Sequence, residues 1–509
     1  MTDKMTPAKP NRPRILCLGL DAADKDLIAE WTQAGALPTF KAMFESSAFS
    51  PMTTPPGQYA GSVWPSFFTS VTPARHGRYF HTQLRRGGYE YEPFQPKDLK
   101  KAPFWEALSD AGLRVSVVDV PKAPEAGSFN GTQILDWGTH DPESEHVRAF
   151  PTEFGNETAA RYGHDPVGRC DRAERDAAGL TRLRDALCER AGTKARIVKD
   201  VLAESDSNLT LAVFSESHCA GHQLWHLHDP THPNHDPKLA ATTGDLLKDV
   251  YVALDRAVGE VLAGLDPATI VILFTSHGMG AHFDGSFLLN EIVSRLQTAP
   301  TTTRQQTVQG MRLLWDQVPD RLKRQLRSRA GVLLRKARGA ALKGQDFFAV
   351  LTNDNCGGIR VNLKGREANG RIQAGEPYER LIAQITADLA EIVNEETGEP
   401  IVLDVLRTDR LFEGPWRDDL PDLNVAWNQT APIRKISSPK IDRIEREYSG
   451  RRTGDHRDQG FLWGRGPGIE PGPLHSTPSI MDIGPTLAAL LGVPLSDVDG
   501  NPIVFAKSV

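Results

Sequence analysis

Short, unbroken apolar runs that stop abruptly at polar or glycine-rich residues constrain this chain more than any other feature. Ile15–Leu20 ends at Asp21, and Leu209–Phe214 ends at Ser215-Glu216-Ser217-His218. Residues 269–274 end at Thr275-Ser276-His277-Gly278, and residues 114–120 end at Pro121. Runs of four to eight residues rich in Val, Ile and Leu suit strands buried on both faces of a parallel sheet, since a strand with one wet face would alternate. Helical patterns lie between them, over 183–202 and 246–265. This alternation predicts an α/β sandwich: a central, mostly parallel sheet with helices on both faces.

The expected organisation is one catalytic α/β domain over 12–509, with a disordered N-terminus over 1–11 and a helical insertion or cap over 300–345. Within that insertion, residues 321–343 carry nine basic residues and no acidic one, with Leu and Val at helical spacing. The segment reads as a solvated helical insertion; the functional alternative is a basic lip that attracts an anionic substrate, a phospholipid surface or a polyanion. After it, residues 357–363 read as a strand re-entering the core, followed by an amphipathic helix near 378–393.

Of the 509 residues, 39% are hydrophobic and 24% charged, enough for a core and incompatible with general disorder. A net charge of −6, from 59 basic against 65 acidic residues, gives no electrostatic case for nucleic acid. Five widely spread cysteines without a Cys-x-x-Cys spacing argue against a disulfide framework or a cysteine zinc ribbon. The first apolar run is too short for a signal peptide, and no stretch approaches the roughly 20 apolar residues of a membrane span. The chain therefore reads as a soluble cytoplasmic protein; its oligomeric state is not legible.

Three apolar runs deliver metal-type side chains at what would be the carboxyl edge of the sheet, where open α/β sheets bind ligands. Asp21 ends the first. His218 and His222 follow the third at i, i+4, so one helical face would carry both imidazoles. His277 ends the fourth, and Gly454-Asp455-His456-Arg457 precedes another apolar stretch, 460–463. Six of the fifteen histidines fall between 218 and 235. His226 extends the i+4 ladder as a further ligand or a supporting group, whereas His228, His232 and His235 sit among prolines and aspartates and read as a surface loop. Arg75, His76, Arg78 and His81 are candidates for the mouth of the site, with His76-Gly77 closing a helix. Asn353, Asp354 and Asn355 read either as a turn or as contacts to a leaving group. Ser62 is expected to cap a helix whose first turn holds Pro65.

The ordered set of these segments resembles the alkaline phosphatase superfamily, in particular its type I phosphodiesterase/nucleotide pyrophosphatase branch and the bacterial phosphohydrolases related to it. The matching pieces are Leu18-Gly19-Leu20-Asp21, the block from Pro55-Pro56 through Trp64-Pro65-Ser66-Phe67 to His76-Gly77, and Phe214-Ser215-Glu216-Ser217-His218-Cys219-Ala220-Gly221-His222. Ser276-His277-Gly278-Met279, Gly454-Asp455-His456-Arg457, Gly466-Pro467-Gly468-Ile469 and the segment 479–487 follow in family order. The resemblance implies two metals, a threonine or serine nucleophile at a helix N-terminus and a phosphoryl-enzyme intermediate. By position, one metal would use His218, His222 and His456; the other would use Asp21, the nucleophile, Ser276 and His277.

Three positions depart from the family pattern. His218 and Ser276 stand where the family has aspartates, and gap-free counting from Trp64 and Thr69 puts the nucleophile position on Ala60. Losing two carboxylates favours one ion over two, most simply Zn²⁺, with Mn²⁺ or Fe²⁺ as alternatives. Alanine cannot attack phosphorus, so three explanations stay open. Ser62 serves after a register shift, hydroxide on the metal attacks directly, or the chain carries an inactivating change at Ala60. The reading is a metal-dependent hydrolase of small phosphate esters, most simply diesters. The alternatives are a metal- or substrate-binding descendant without hydrolysis, and a same-fold enzyme of other chemistry such as transfer or isomerisation.

Overall fold

The computed structural model describes residues 12–57, 59–297, 342–352 and 355–505. Residues 1–11 and nearly all of the basic segment 321–343 lie outside them, as do Asn353 and Asp354.

A nine-stranded sheet organises the described chain. Its strands are β1 (Ile15–Leu20), β2 (Ala48–Thr53), β3 (Val115–Val118), β4 (Gly131–Leu135), β5 (Arg148–Phe150), β6 (Leu209–Phe214), β7 (Ile270–Thr275), β8 (Gln459–Arg465) and β9 (Gly472–Pro473). Their order is β9-β2-β8-β7-β1-β6-β3-β4-β5. The central five, β7-β1-β6-β3-β4, are all parallel, while β8 and β5 pair antiparallel with their neighbours. The expected mostly parallel α/β sandwich is what forms.

Period-two alternation along each buried strand fills both layers. Leu16, Leu18 and Leu20 of β1 enter one apolar cluster, together with helices α2 (Ala177–Glu204), α3 (Glu216–His228) and α4 (Leu246–Leu262). Ile15 and Cys17 enter the opposite cluster, with α1 (Tyr59–Thr69) and α5 (Ile483–Leu490). Both faces of the strand are therefore dry, which is why its sequence is continuously apolar.

Two expectations about local structure change. The strand Cys356–Val361 does not join the central sheet; it pairs with Phe347–Val350 and Leu423–Trp427 in a separate four-stranded antiparallel sheet that also contains Val402–Arg407. That sheet packs against the helices Ser286–Gln297 and Glu376–Ala390 around its own apolar cluster. Helix α1 begins at Tyr59, so Ser62 lies in its first turn and is not its N-cap, and Pro65 falls inside the helix. A left-handed Gly57 (φ 72°) turns the chain just before this helix and moves its start upstream of Ser62.

Candidate metal centre

Three adjacent strands, β7, β1 and β6, end at the same edge of the sheet and deliver Asp21, the start of α3, and Ser276-His277. Ala22, directly after Asp21, adopts a left-handed conformation (φ 51°), costly for a residue with a Cβ and typical of functional turns. A two-stranded ribbon then pairs Gly278–Ala281 with Gly454–Arg457, with Met279 opposite His456. This ribbon brings His456 beside residues more than 230 positions away. It lies close against α3: a Cβ on Gly454 would stand 2.2 Å from the Gly221 carbonyl oxygen, and one on Gly221 would stand 2.6 Å from Met279. Both positions need glycine for that approach.

Four imidazoles converge there, all buried. Ring centroids of His218, His222 and His456 are 4.6–4.9 Å apart, and His277 lies 4.3 Å from His456. Donor atoms within 4.8 Å of one another fall into two sets that share His456: His218, His277 and His456, and His222, Asp455 and His456. Asp455 was not singled out as a ligand from the sequence, although it stands inside a quoted motif. It also approaches His282 at 4.0 Å, and His282, Asp284 and Asp455 form a further set.

The hydrogen bonds orient the rings. His222 Nδ1 is 2.7 Å from the Gly454 carbonyl oxygen, so this nitrogen carries the proton and Nε2 keeps its lone pair. His277 Nδ1 is 2.7 Å from Ser276 Oγ, which donates to Asp21 Oδ1 at 3.1 Å and accepts from the Ala22 N–H at 3.3 Å. Ser276 thus clamps Asp21 and His277 together and turns Nε2 of the latter outward. Trp64 Nε1 donates to the same Asp21 oxygen at 3.0 Å. Burial raises the Asp21 carboxyl to about 6, against the pull of His140 and of these bonds. Burial also lowers His277 to about 3 and drives His218, His222 and His456 well below their ordinary value. The imidazoles are neutral at pH 7, the form that binds metal.

This arrangement fits a divalent cation. Each of the four rings keeps one buried nitrogen with no hydrogen-bond partner: His218 Nδ1, His222 Nε2, His277 Nε2 and His456 Nδ1. Buried polar atoms are rarely left so, which makes these nitrogens candidate ligands, while His218 Nε2 and His456 Nε2 lie 2.8 Å from each other.

Residues 15–447 match the family model of type I phosphodiesterase/nucleotide pyrophosphatase. The chain belongs to that family. It stands among the metal-dependent phosphoryl hydrolases of the alkaline phosphatase superfamily. No curated protein matches it in a sequence search. Among solved structures, phosphonoacetate hydrolase from Sinorhizobium meliloti 1021, in complex with phosphonoformate, aligns with a TM-score of 0.52 at 15% identity, covering 94% of this chain and 95% of that one. Wild-type alkaline phosphatase PafA aligns with a TM-score of 0.51 at 14% identity, covering 98% and 100%. At such identities the likeness is one of fold. No described helix is long and apolar enough to cross a membrane.

The other candidates take different places. His226 Nδ1 bonds Thr453 Oγ1 at 3.1 Å and steadies the chain just ahead of the family's Gly454-Asp455-His456 motif. His228 pairs with Asp245 at 2.8 Å. His232 is not on a surface loop; it is buried and stacked on Phe283, because the turn after α3 folds back over the ribbon. Arg75 bonds Asp499, and Arg78 bonds Glu143. The helix Pro73–His76 ends at a left-handed Gly77 (φ 82°).

His76 supplies a pH prediction independent of any metal. Its ring is fully buried, with Nε2 3.0 Å from Ser66 Oγ, and burial aided by Arg78 lowers it to about 3. The unfolded chain binds this proton near pH 6.5, so the stability is present above that pH and is lost as pH falls toward 3. Each such group costs about 1.4 kcal/mol per pH unit across the window. His76→Gln should flatten the dependence of unfolding free energy between pH 6 and 4 by about that slope. Parallel denaturant titrations of the two chains at pH 7, 6, 5 and 4 measure it, and identical slopes would exclude His76 as a source.

Proposed function

We propose that this chain is built for divalent-metal-dependent hydrolysis of phosphodiesters and holds one ion at His456. The observation that carries this reading is the convergence of His218, His222, His277 and His456, each with an unpartnered ring nitrogen, at the carboxyl edge of the sheet. His456 belongs to both donor sets, so it is the ligand on which the others depend. His218 and His222 are its partners from α3. Asp21 and His277, held together through Ser276, face the same ion or the substrate beside it. Zn²⁺ matches the nitrogen-rich set best, and when bound it supplies Lewis-acid polarisation of a phosphoryl oxygen.

The chain's own residues set the rest. Ser276 fixes the tautomer of His277 and the direction of the Asp21 carboxylate, and Trp64 anchors that carboxylate from α1. Residue 60 lies four positions before Trp64, one helical turn away. Ser62 is two positions from Trp64, about 200° round the helix. This register supports position 60, where alanine stands, as the nucleophile position and speaks against Ser62. A metal-binding descendant without hydrolysis is the second reading, and Ala60 is the observation that favours it.

The test joins metal content to turnover. Elemental analysis should find metal on the purified chain, and His456→Ala should remove one equivalent of it while the far-ultraviolet spectrum is retained. Slow turnover of bis(p-nitrophenyl) phosphate should exceed that of p-nitrophenyl phosphate, stop on chelation and return with Zn²⁺. An unchanged metal stoichiometry in His456→Ala would refute the centre, and a preference for the monoester would refute the diester assignment.

A further inference from the structure

Beside the histidine cluster lies a second group of metal-type donors that includes sulfur. Cys170 sits in a short turn over 170–172, Cys219 lies on α3 between the candidate ligands His218 and His222, and His140 follows β4. His140 Nδ1 is 3.4 Å from Cys170 Sγ and 3.5 Å from Cys219 Sγ, and the three donor atoms lie within 4.8 Å of one another. Both cysteines are buried and all five in the chain are free thiols. A tetrahedral ion with metal–sulfur and metal–nitrogen bonds near 2.3 and 2.05 Å sets sulfur and nitrogen about 3.6 Å apart. The observed separations already match that edge.

The surroundings select the same chemistry. His140 Nε2 lies 3.3 Å from Asp141 Oδ2, so Nε2–H donates to the carboxylate and Nδ1 is left for the sulfurs. This is the carboxylate–histidine–metal relation that fixes a ligating ring. Arg190, fully buried, points Nη2 at Cys219 Sγ from 3.5 Å, setting a cation beside that sulfur. Two thiolates would neutralise a divalent ion, and sulfur selects zinc-class over magnesium- or calcium-class cations.

We propose that Cys170, Cys219 and His140 form a second metal site, which takes one thiophilic divalent ion such as Zn²⁺. Uptake displaces the protons of the two thiols and any proton shared by the imidazole, which leave to solvent. The ring of His140 meets that of His218 edge-to-face with centroids 4.1 Å apart, so the ion would tie the loop after β4 to the helix that carries the histidine centre. The inference stands on its own residues and does not depend on any hydrolytic activity.

Cobalt(II) separates the two sites, because only a thiolate ligand gives near-ultraviolet sulfur-to-cobalt charge transfer. Titrating the metal-stripped full chain should produce that absorption, saturating by two equivalents as both sites fill. It should persist in Cys188→Ser and in His222→Ala and vanish in Cys170→Ser/Cys219→Ser. Zn²⁺ should also slow alkylation of Cys170 and Cys219, but not of Cys188, in the unsubstituted chain, a readout that needs no variant to fold. Cobalt bound without the thiolate band, an unaltered band in the double variant, or recovery of the two residues as a disulfide that takes no metal would each overturn the proposal.

Discussion

Replacing Ala60 with Thr is expected to raise phosphodiester turnover by about 10³-fold or more over the chain as given, with no change in bound metal. Removing the nucleophile from a covalent mechanism leaves only binding and electrostatic stabilisation, and the lost factor commonly exceeds that value. Position 60 is one helical turn before Trp64, whose indole N–H reaches Asp21 Oδ1 at 3.0 Å. Ser62→Ala should change the rate by less than about threefold in either background, since its position lies on another side of α1. Steady-state rates with bis(p-nitrophenyl) phosphate for the four chains, at matched metal content, decide between the explanations. Loss of activity in Ser62→Ala would restore Ser62 as the nucleophile. An active chain indifferent to both substitutions would assign attack to water.

Much of this architecture was legible because burial on both faces writes itself into composition. Ile15–Leu20 and Leu209–Phe214 appear in the structure with the bounds that their apolar runs have in the sequence. The i, i+4 pair His218 and His222 falls on a helix as spacing requires. Cys356–Val361 was recognisable as a strand but not assignable to a sheet, since an apolar run records its burial and not its partner. The start of α1 was misplaced for a related reason. A good capping side chain at Ser62 is a local signal, and the turn at Gly57 overrides it.

The parts of the site that were missed depend on long-range pairing. Asp455 becomes a candidate ligand only because the ribbon lays Gly454–Arg457 beside Gly278–Ala281 against α3. His140, Cys170 and Cys219 share no sequence motif, and nothing in their spacing marks them as neighbours. The odd number of scattered cysteines argued against a regular cysteine framework but could not reveal one proximate pair. The positioning role of Ser276 was equally hidden. By resemblance it is a weakened ligand, whereas its three hydrogen bonds make it the clamp between Asp21 and His277.

The largest effect on stability is expected from Lys194→Met. Lys194 is completely buried, and its Nζ lies 3.0 Å from Asp119 Oδ2, donates to the carbonyl oxygens of Gly138 (2.9 Å) and Val213 (3.0 Å), and comes within 3.9 Å of Glu216. Arg190, one helical turn earlier, bonds Glu216 at 2.8 Å, and both of those side chains are also fully buried. Asp119 in turn accepts from the N–H groups of Trp137 and Gly138, each at 2.9 Å. Two cations and two carboxylates are thus sealed beneath α3, whose first residue is Glu216. A methionine fills the space of the aliphatic stem but leaves Asp119 without its cation and two carbonyls without a donor. Breaking a buried pair from one side costs about 3–5 kcal/mol, a large fraction of the roughly 5–15 kcal/mol that holds a domain together. Adding Asp119→Asn removes the stranded charge while keeping an acceptor for the backbone, so the double variant should recover part of the loss. A denaturant-unfolding cycle over the four chains measures that coupling. A single-variant loss below about 1 kcal/mol would mean that water reaches Asp119, and the sealed network would then not be what holds α3 against the sheet.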